Sequence, residues 1–147
     1  MSTTRLVLAA ADAEDLETLS ARLQDAVAKV KDLVFLPKSR RFAGLFNRFK
    51  WESATAQAGT RVRAGLHIDG VLSVKSFRLN TENPEAVASL LAIRFQPTGG
   101  EDPGGIIELV FAGGGALRLE VESVSAELSD LSGEWAALGR PVHETES

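Results

Sequence analysis

Two side chains that carry out acid–base chemistry in many enzymes, His67 and Asp69, lie two residues apart. In a β-strand, alternate residues point to the same face, so this pair could exchange a proton. A hydrolase would also need a nucleophile or a metal. The chain has no cysteine and no Gly-x-Ser-x-Gly motif, and its other histidine is the distant His143. An enzyme that uses His67 and Asp69 is therefore the third hypothesis, with no catalytic residue, metal or cofactor assigned.

A second set of side chains with chemical potential is a run of cations interleaved with the aromatic residues Phe42, Phe46, Phe49 and Trp51. Rings that stack on bases and cations that bind phosphate suit an anion-binding or single-stranded nucleic-acid-binding module built on residues 40–78. The sequence pI of about 5.2 opposes a polyanion, so nucleic acid is disfavoured. The candidate binding residues are Arg40, Arg41, Arg48, Lys50, Arg61, Arg63 and His67.

Charge is distributed unevenly along the chain. Residues 29–78 carry eleven basic and three acidic side chains, a net +8, whereas residues 79–147 carry three basic and twelve acidic side chains, a net −9. The acidic strand pair around Glu120 and Glu122 could meet the basic strands around Arg61 and Arg63, within one chain or between two. The first hypothesis is therefore a small non-enzymatic binding or regulatory domain that acts through protein contacts or self-association, with a homo-oligomer or a protein partner.

The composition is that of an ordinary globular domain. The chain has 147 residues, of which 44% are hydrophobic and 24% charged, and it has no cysteine. No apolar run is long enough for a signal peptide or a membrane span. We expect a single cytoplasmic domain over 1–147 that is not associated with a membrane, with a flexible tail from about residue 139.

The N-terminal half predicts a strand, a helix and two further strands. The first strand covers about residues 5–10, and Asp12 is the expected cap of a helix over 13–26 with apolar residues on one face. Strands follow at Leu33–Leu36 and over 42–51, with a bulge at Gly44 and with Phe49 and Trp51 facing the core. The residues predicted to be buried are Leu16, Leu19, Leu23, Phe49, Trp51, Leu66, Leu117, Leu119 and Val121.

The clearest local signal is Asp69-Gly70 between two alternating segments, which predicts a tight type I′ hairpin. Pairing Ile68 with Val71 would place Arg61 opposite Arg78, and two like charges in that position are destabilising. We therefore expect counter-charge beside them, from the acidic half of the chain or from an external anion.

The remaining sequence predicts a second hairpin around residues 113–115, whose glycines suit a turn and not a phosphate-binding loop. A short helix is predicted after Asn83-Pro84, a strand over 90–95, a glycine-rich loop over 98–105, and a strand or bend over 125–131. Together these elements predict an α+β fold, an antiparallel β-barrel or strongly bent meander of eight to nine strands covered by one N-terminal helix.

Several short motifs, taken together, are distinctive. These are Asn47-Arg48-Phe49-Lys50-Trp51-Glu52, Leu23-Gln24-Asp25-Ala26-Val27, Arg40-Arg41-Phe42, the segment from Arg61 to His67, and Phe111-Ala112-Gly113-Gly114-Gly115. With them the chain resembles, from about Leu6 to about His143, an uncharacterised bacterial family known only as a domain of unknown function. The resemblance implies a single cytoplasmic bacterial domain and brings no activity, substrate or cofactor.

Overall fold

A computed structural model describes residues 6–49 and 61–131 of the chain. These residues form ten β-strands and one α-helix. In chain order they are β1 (Val7–Ala10), α1 (Ala13–Arg22), β2 (Val27–Lys29), β3 (Leu33–Leu36), β4 (Arg41–Phe49), β5 (Arg61–Asp69), β6 (Val71–Phe77), β7 (Val87–Gly99), β8 (Asp102–Phe111), β9 (Ala116–Val121) and β10 (Ala126–Asp130).

Helix α1 begins at the predicted cap. The Asp12 side chain accepts a hydrogen bond of 2.8 Å from the Asp15 amide, which satisfies one of the free amides of the first turn. The helix ends at Arg22, earlier than predicted, because the chain turns at Asp25 through a positive φ of 66°. Leu16 and Leu19 are buried, as predicted.

The strands form one antiparallel sheet in the order β1-β10-β5-β4-β2-β7-β8-β9-β6, with β3 also paired to β4. Over residues 6–49 and 61–131 the sheet is open, with β1 and β6 at its edges, so the prediction of a closed barrel is wrong. The strand count also exceeds the predicted eight or nine. The order is not a simple meander, since β10 lies between β1 and β5 and β2 lies between β4 and β7.

The sheet divides into two layers that share one hydrophobic core. We call β1, β10, β5, β4 and β3 the β5 layer, and β7, β8, β9 and β6 the β8 layer; β2 pairs with a strand of each. Phe42 and Leu66 from the β5 layer and Ile107 and Leu109 from the β8 layer belong to a single buried cluster. Leu23, which follows helix α1, joins them. Each layer therefore has an inner face in the core and an outer face.

The segment Asp69-Gly70 is a corner between the two layers, and the predicted hairpin is wrong. Strand β5 pairs with β4 and β10 on its two sides, while β6 pairs with β9. Gly70 has the expected positive φ, 70°, and its carbonyl accepts from the Glu122 amide at 3.0 Å. Arg61 lies opposite Phe49 and not opposite Arg78, so the predicted like-charge pair does not form.

Strand β4 pairs with β5 without interruption from Arg41 to Phe49, so no bulge interrupts this ladder at Gly44. Its inner face carries Phe46 and Arg48, both buried, and Phe49 lies half-buried on the outer face. The prediction that Phe49 faces the core was therefore wrong. A Cβ atom on Gly44 would stand 2.8 Å from the Phe46 ring, so the glycine leaves the space that this ring needs. Trp51 lies outside the described residues.

The C-terminal half contains two hairpins. The β8–β9 turn is where it was predicted, and Gly113 and Gly114 both adopt positive φ. The glycine-rich loop predicted over 98–105 is instead the end of a long β7–β8 hairpin, because β7 continues past Pro97. The predicted strand over 125–131 is present as β10. No helix follows Asn83, whose side chain accepts from the Glu85 amide at 3.1 Å and forms a turn.

Helix α1 also protects a free edge of β7. Strand β2 covers β7 only as far as Ser89, and beyond it the Ile93 amide donates to the Ser20 hydroxyl at 2.8 Å. The helix thus satisfies an amide that would otherwise be open to another strand.

Candidate interaction surfaces

Arg48 lies in the interior and not on a binding surface. Its guanidinium makes two parallel hydrogen bonds to Asp130, from Nε to Oδ1 and from Nη2 to Oδ2, both 2.9 Å. Both side chains are almost completely buried, with 0% and 2% of their area exposed. Asp130 Oδ2 also accepts from the Leu6 amide at 3.1 Å. Arg48 is therefore a structural cation neutralised by the acidic half of the chain.

Four exposed cations of the basic segment are also paired, three of them with the acidic half. Arg40 contacts Glu122 at 2.5 Å, and Lys29 and Lys31 contact Glu85 at 2.9 and 2.8 Å. These pairs bring the basic segment and the acidic half into contact within one chain, although Glu122 contacts Arg40 and not the strands around Arg61 and Arg63. An exception is Arg41, whose partner Asp69 belongs to the basic segment itself.

Glu85 is the carboxylate most affected by this pairing. The hydrogen bonds from Lys31 and Lys29 lower the pKa of Glu85 to about 2 from its ordinary value of 4.5. The same contact raises the pKa of Lys31. All three side chains are about half exposed, so salt will weaken the interaction.

His67 lies between two carboxylates on the outer face of the β5 layer. Its Nε2 is 3.1 Å from Glu127 Oε1 and its Nδ1 is 3.3 Å from Asp69 Oδ2. The contact to Asp69 lacks hydrogen-bond geometry, so it is electrostatic and depends on a protonated ring. Asp69 Oδ1 accepts from Arg41 Nε at 2.7 Å. We call these four residues (Glu127, His67, Asp69 and Arg41) the His67 cluster.

The His67 cluster brings the predicted histidine and carboxylate together without assembling a catalytic group. Each ring nitrogen already faces a carboxylate, so neither is directed at a hydroxyl that it could deprotonate. The two carboxylates also lie on opposite sides of the ring, where they cannot share one ion with it. Among the described residues, no group of three or more metal-binding side chains is arranged to hold a metal.

The remaining predicted binding residues lie on the same outer face, at the other end of β5. The Arg61 guanidinium stands 4.4 Å from the centre of the Phe49 ring. Arg63 lines a cleft of about 350 Å3, which opens where β2 turns away from β4 and which Lys29 and Asn47 also line. Lys50 lies outside the described residues.

An apolar stripe crosses the outer face of the β5 layer and was not predicted. Val7, Ser129, Gly65 and Leu45 lie side by side on β1, β10, β5 and β4. The Leu131 side chain lies beside Gly65, where an added Cβ atom would meet it at 3.3 Å. Val7 and Leu131 are 58% and 51% exposed, which is high for large apolar side chains. Only strand pairing reveals this stripe, because its residues are far apart in sequence.

The outer face of the β8 layer carries a row of charges that was also not predicted. Lys75, Arg118, Glu108 and Arg94 lie directly opposite one another on β6, β9, β8 and β7. Three cations therefore accompany one carboxylate, and Lys75 and Arg118 are adjacent. We call these four residues the Lys75 row. The like-charge neighbours that the sequence predicted at Arg61 and Arg78 occur here instead.

No α-helix within residues 6–49 and 61–131 has the length and apolar character needed to cross a membrane.

Comparison with known proteins identifies a family but no function. No curated protein and no solved structure matches the chain. The model of one family, described as "Protein of unknown function (DUF2948)", matches residues 6–143, which confirms the resemblance to an uncharacterised family. The match covers almost the whole chain, and the chain therefore belongs to the DUF2948 family.

Proposed function

We propose that this domain is a protein-interaction module that self-associates through the outer face of its β5 layer. The observation that carries the proposal is the apolar stripe of Val7, Leu45 and Leu131, together with the charges on its two sides. Large apolar side chains gathered on one face of a sheet mark interaction sites more often than ones scattered singly do.

The charges beside the stripe differ in sign from one side to the other. The outer-facing residues of β5 are Arg61 and Arg63 at one end, Gly65 in the middle, and His67 and Asp69 at the other end. Glu127 on β10 lies beside His67. One side of the stripe is therefore cationic, and the other side carries two carboxylates against one cation, Arg41, which contacts Asp69.

This arrangement is complementary to itself under a two-fold rotation. If two copies stack face to face about an axis along the stripe, apolar residues meet apolar residues at the centre. The Arg61 and Arg63 end of each copy then lies over the His67 cluster of the other. An isologous interface needs this self-complementarity, which favours a second copy over an unrelated partner.

The proposal is tested by measuring mass in solution across a range of protein concentrations, by light scattering or sedimentation. We expect a reversible dimer. Leu131→Glu should give monomer, since it puts a charge at the centre of the apolar contact. Leu72→Glu is the matched control, because Leu72 is similarly exposed, at 46%, but lies on β6 outside the stripe.

Charge reversal tests the orientation of the two copies. Arg63→Glu and Glu127→Arg should each weaken the dimer, and an equimolar mixture of the two variants should restore it as a heterodimer. A wild-type protein that stays monomeric at its highest soluble concentration would overturn the proposal, as would a dimer that is indifferent to Leu131→Glu.

A further inference from the structure

The Lys75 row lies on the outer face of the other layer and is independent of the proposed dimer. Lys75 and Arg118 are directly opposite each other on adjacent strands. Such neighbours have Cβ atoms about 5 Å apart, and two like charges in this position are destabilising. A fold that retains this pair without compensation carries a cost that a bound anion would remove.

Compensation from within the chain is weak at this row. Arg118 Nε lies 4.0 Å from Glu108 Oε2, at the limit of an ion pair, and this nitrogen is buried without a hydrogen-bond partner. Within the described residues, neither Lys75 nor Arg94 makes an ion pair.

The other carboxylates near the row make no ion pair with Lys75 or Arg118 within the described residues. Glu120, two residues from Arg118 on the same face, accepts from the Ser73 hydroxyl at 3.2 Å. Glu14 and Glu17 line a cleft beside Arg94, at the far end of the row. Within the described residues, neither Lys75 nor Arg118 therefore has a carboxylate oxygen closer than 4.0 Å.

We propose that Lys75 and Arg118 bind a phosphate group, as the anchoring group of a small phosphorylated ligand. A phosphate monoester carries close to two negative charges near neutral pH, which equals the charge of the Lys75 and Arg118 side chains together. Arginine offers a planar set of donors to its oxygens, and lysine adds a point charge. The Phe77 ring, 6.0 Å from the Arg118 guanidinium, provides an apolar border for the body of such a ligand.

The experiment follows backbone amide resonances while inorganic phosphate is added, with chloride at matched ionic strength as the reference. Saturable shifts should be confined to β6 and β9 around Lys75 and Arg118. Lys75→Ser and Arg118→Gln should each weaken binding by about tenfold or more, as expected for a lost charged hydrogen bond. Lys38→Ser is the matched control, because Lys38 is an exposed lysine in the turn between β3 and β4, outside the Lys75 row.

Thermal unfolding gives a second readout that a surface lysine with no ligand would not produce. Without phosphate, Lys75→Ser should raise the midpoint, because repulsion from Arg118 is relieved. Added phosphate should raise the midpoint of wild type more than that of Lys75→Ser, because the variant retains only the general stabilisation by a kosmotropic salt. Two results would overturn the proposal. One is phosphate-induced amide shifts of equal size around Lys38, Arg61 and Lys75. The other is a thermal-unfolding midpoint that Lys75→Ser lowers in the absence of phosphate.

Discussion

Arg48 and Asp130 form a bidentate ion pair inside the protein that links β4 to β10 across a sequence separation of 82 residues. Neither residue belongs to the stripe or to the Lys75 row. The same aspartate receives the Leu6 amide and so holds the start of β1 in place. One buried pair thereby connects three strands of the β5 layer.

Removing one partner of this pair should lower the free energy of unfolding much more than replacing both partners with apolar residues. We expect Arg48→Ala or Asp130→Ala to lower the free energy of unfolding by about 3–5 kcal/mol, because the other charge is left buried without its counter-ion. The double variant Arg48→Met/Asp130→Leu should recover most of this loss. Urea denaturation followed by circular dichroism measures it, with Lys38→Ala as the exposed control. Single variants as stable as wild type would contradict the burial of the pair.

The cost of a substitution at Gly70 should depend on how readily the new residue adopts the backbone conformation of this glycine. Its φ of 70° is in the left-handed region, and a Cβ atom would stand 3.6 Å from Glu122 Oε1, an ordinary contact. Conformational strain alone therefore predicts that Gly70→Val lowers the free energy of unfolding by more than about 1 kcal/mol. Gly70→Asn should cost less, since asparagine adopts this region more readily. Equal denaturation midpoints for the two variants would refute the explanation.

Ser20→Ala should destabilise the protein by about 1–2 kcal/mol, because the Ile93 amide loses its acceptor in a partly buried position. Thr18→Ala is the matched control on the same helix, since its hydroxyl makes only a long contact of 3.4 Å to the Glu14 carbonyl. Hydrogen exchange gives the site-specific measurement. The Ile93 amide should exchange faster in Ser20→Ala and at an unchanged rate in Thr18→Ala.

Glu85 should make the free energy of unfolding depend on pH in the acidic range, and salt should weaken this dependence. Because its pKa in the folded state is lowered to about 2, its contribution is present above the ordinary value of 4.5 and is lost as the pH falls toward 2. The stability difference between wild type and Glu85→Gln should therefore shrink across that interval. It should also shrink in high salt at neutral pH, as for other exposed pairs. A difference that is constant from pH 6 to pH 2 would rule out this role.

Features set by neighbouring residues could be predicted from the sequence. The Asp12 cap, the buried face of α1 and the β8–β9 turn each depend on a few adjacent side chains. Asp69-Gly70 has an equally strong local signature, yet it forms a corner, because both edges of β5 are already occupied by β4 and β10. Pairing between distant strands overrides a local turn preference, and nothing near residue 70 signals those partners.

The candidate surfaces were predictable only in their overall charge. The separation of basic and acidic segments indicated that they would meet, and Arg40 with Glu122 shows that they do. The partner of each cation depends on strand register, which the sequence does not reveal. The sequence predicts an exposed Arg48, because a cation that alternates with aromatic residues along a strand is normally on the solvent side. The carboxylate that allows its burial, Asp130, lies on a distant strand.

The position of β10 has a consequence for synthesis of the chain. Strand β1 leaves the ribosome before the other strands of the sheet, but within the described residues its one partner is β10, the last of these strands. Strand β5 likewise keeps one edge open until β10 arrives. At about 5–20 residues per second, translation from Asp69 to Asp130 takes about 3 to 12 seconds. During that interval the nascent protein displays an unpaired β-strand edge to other nascent chains, and only its final segment ends this exposure.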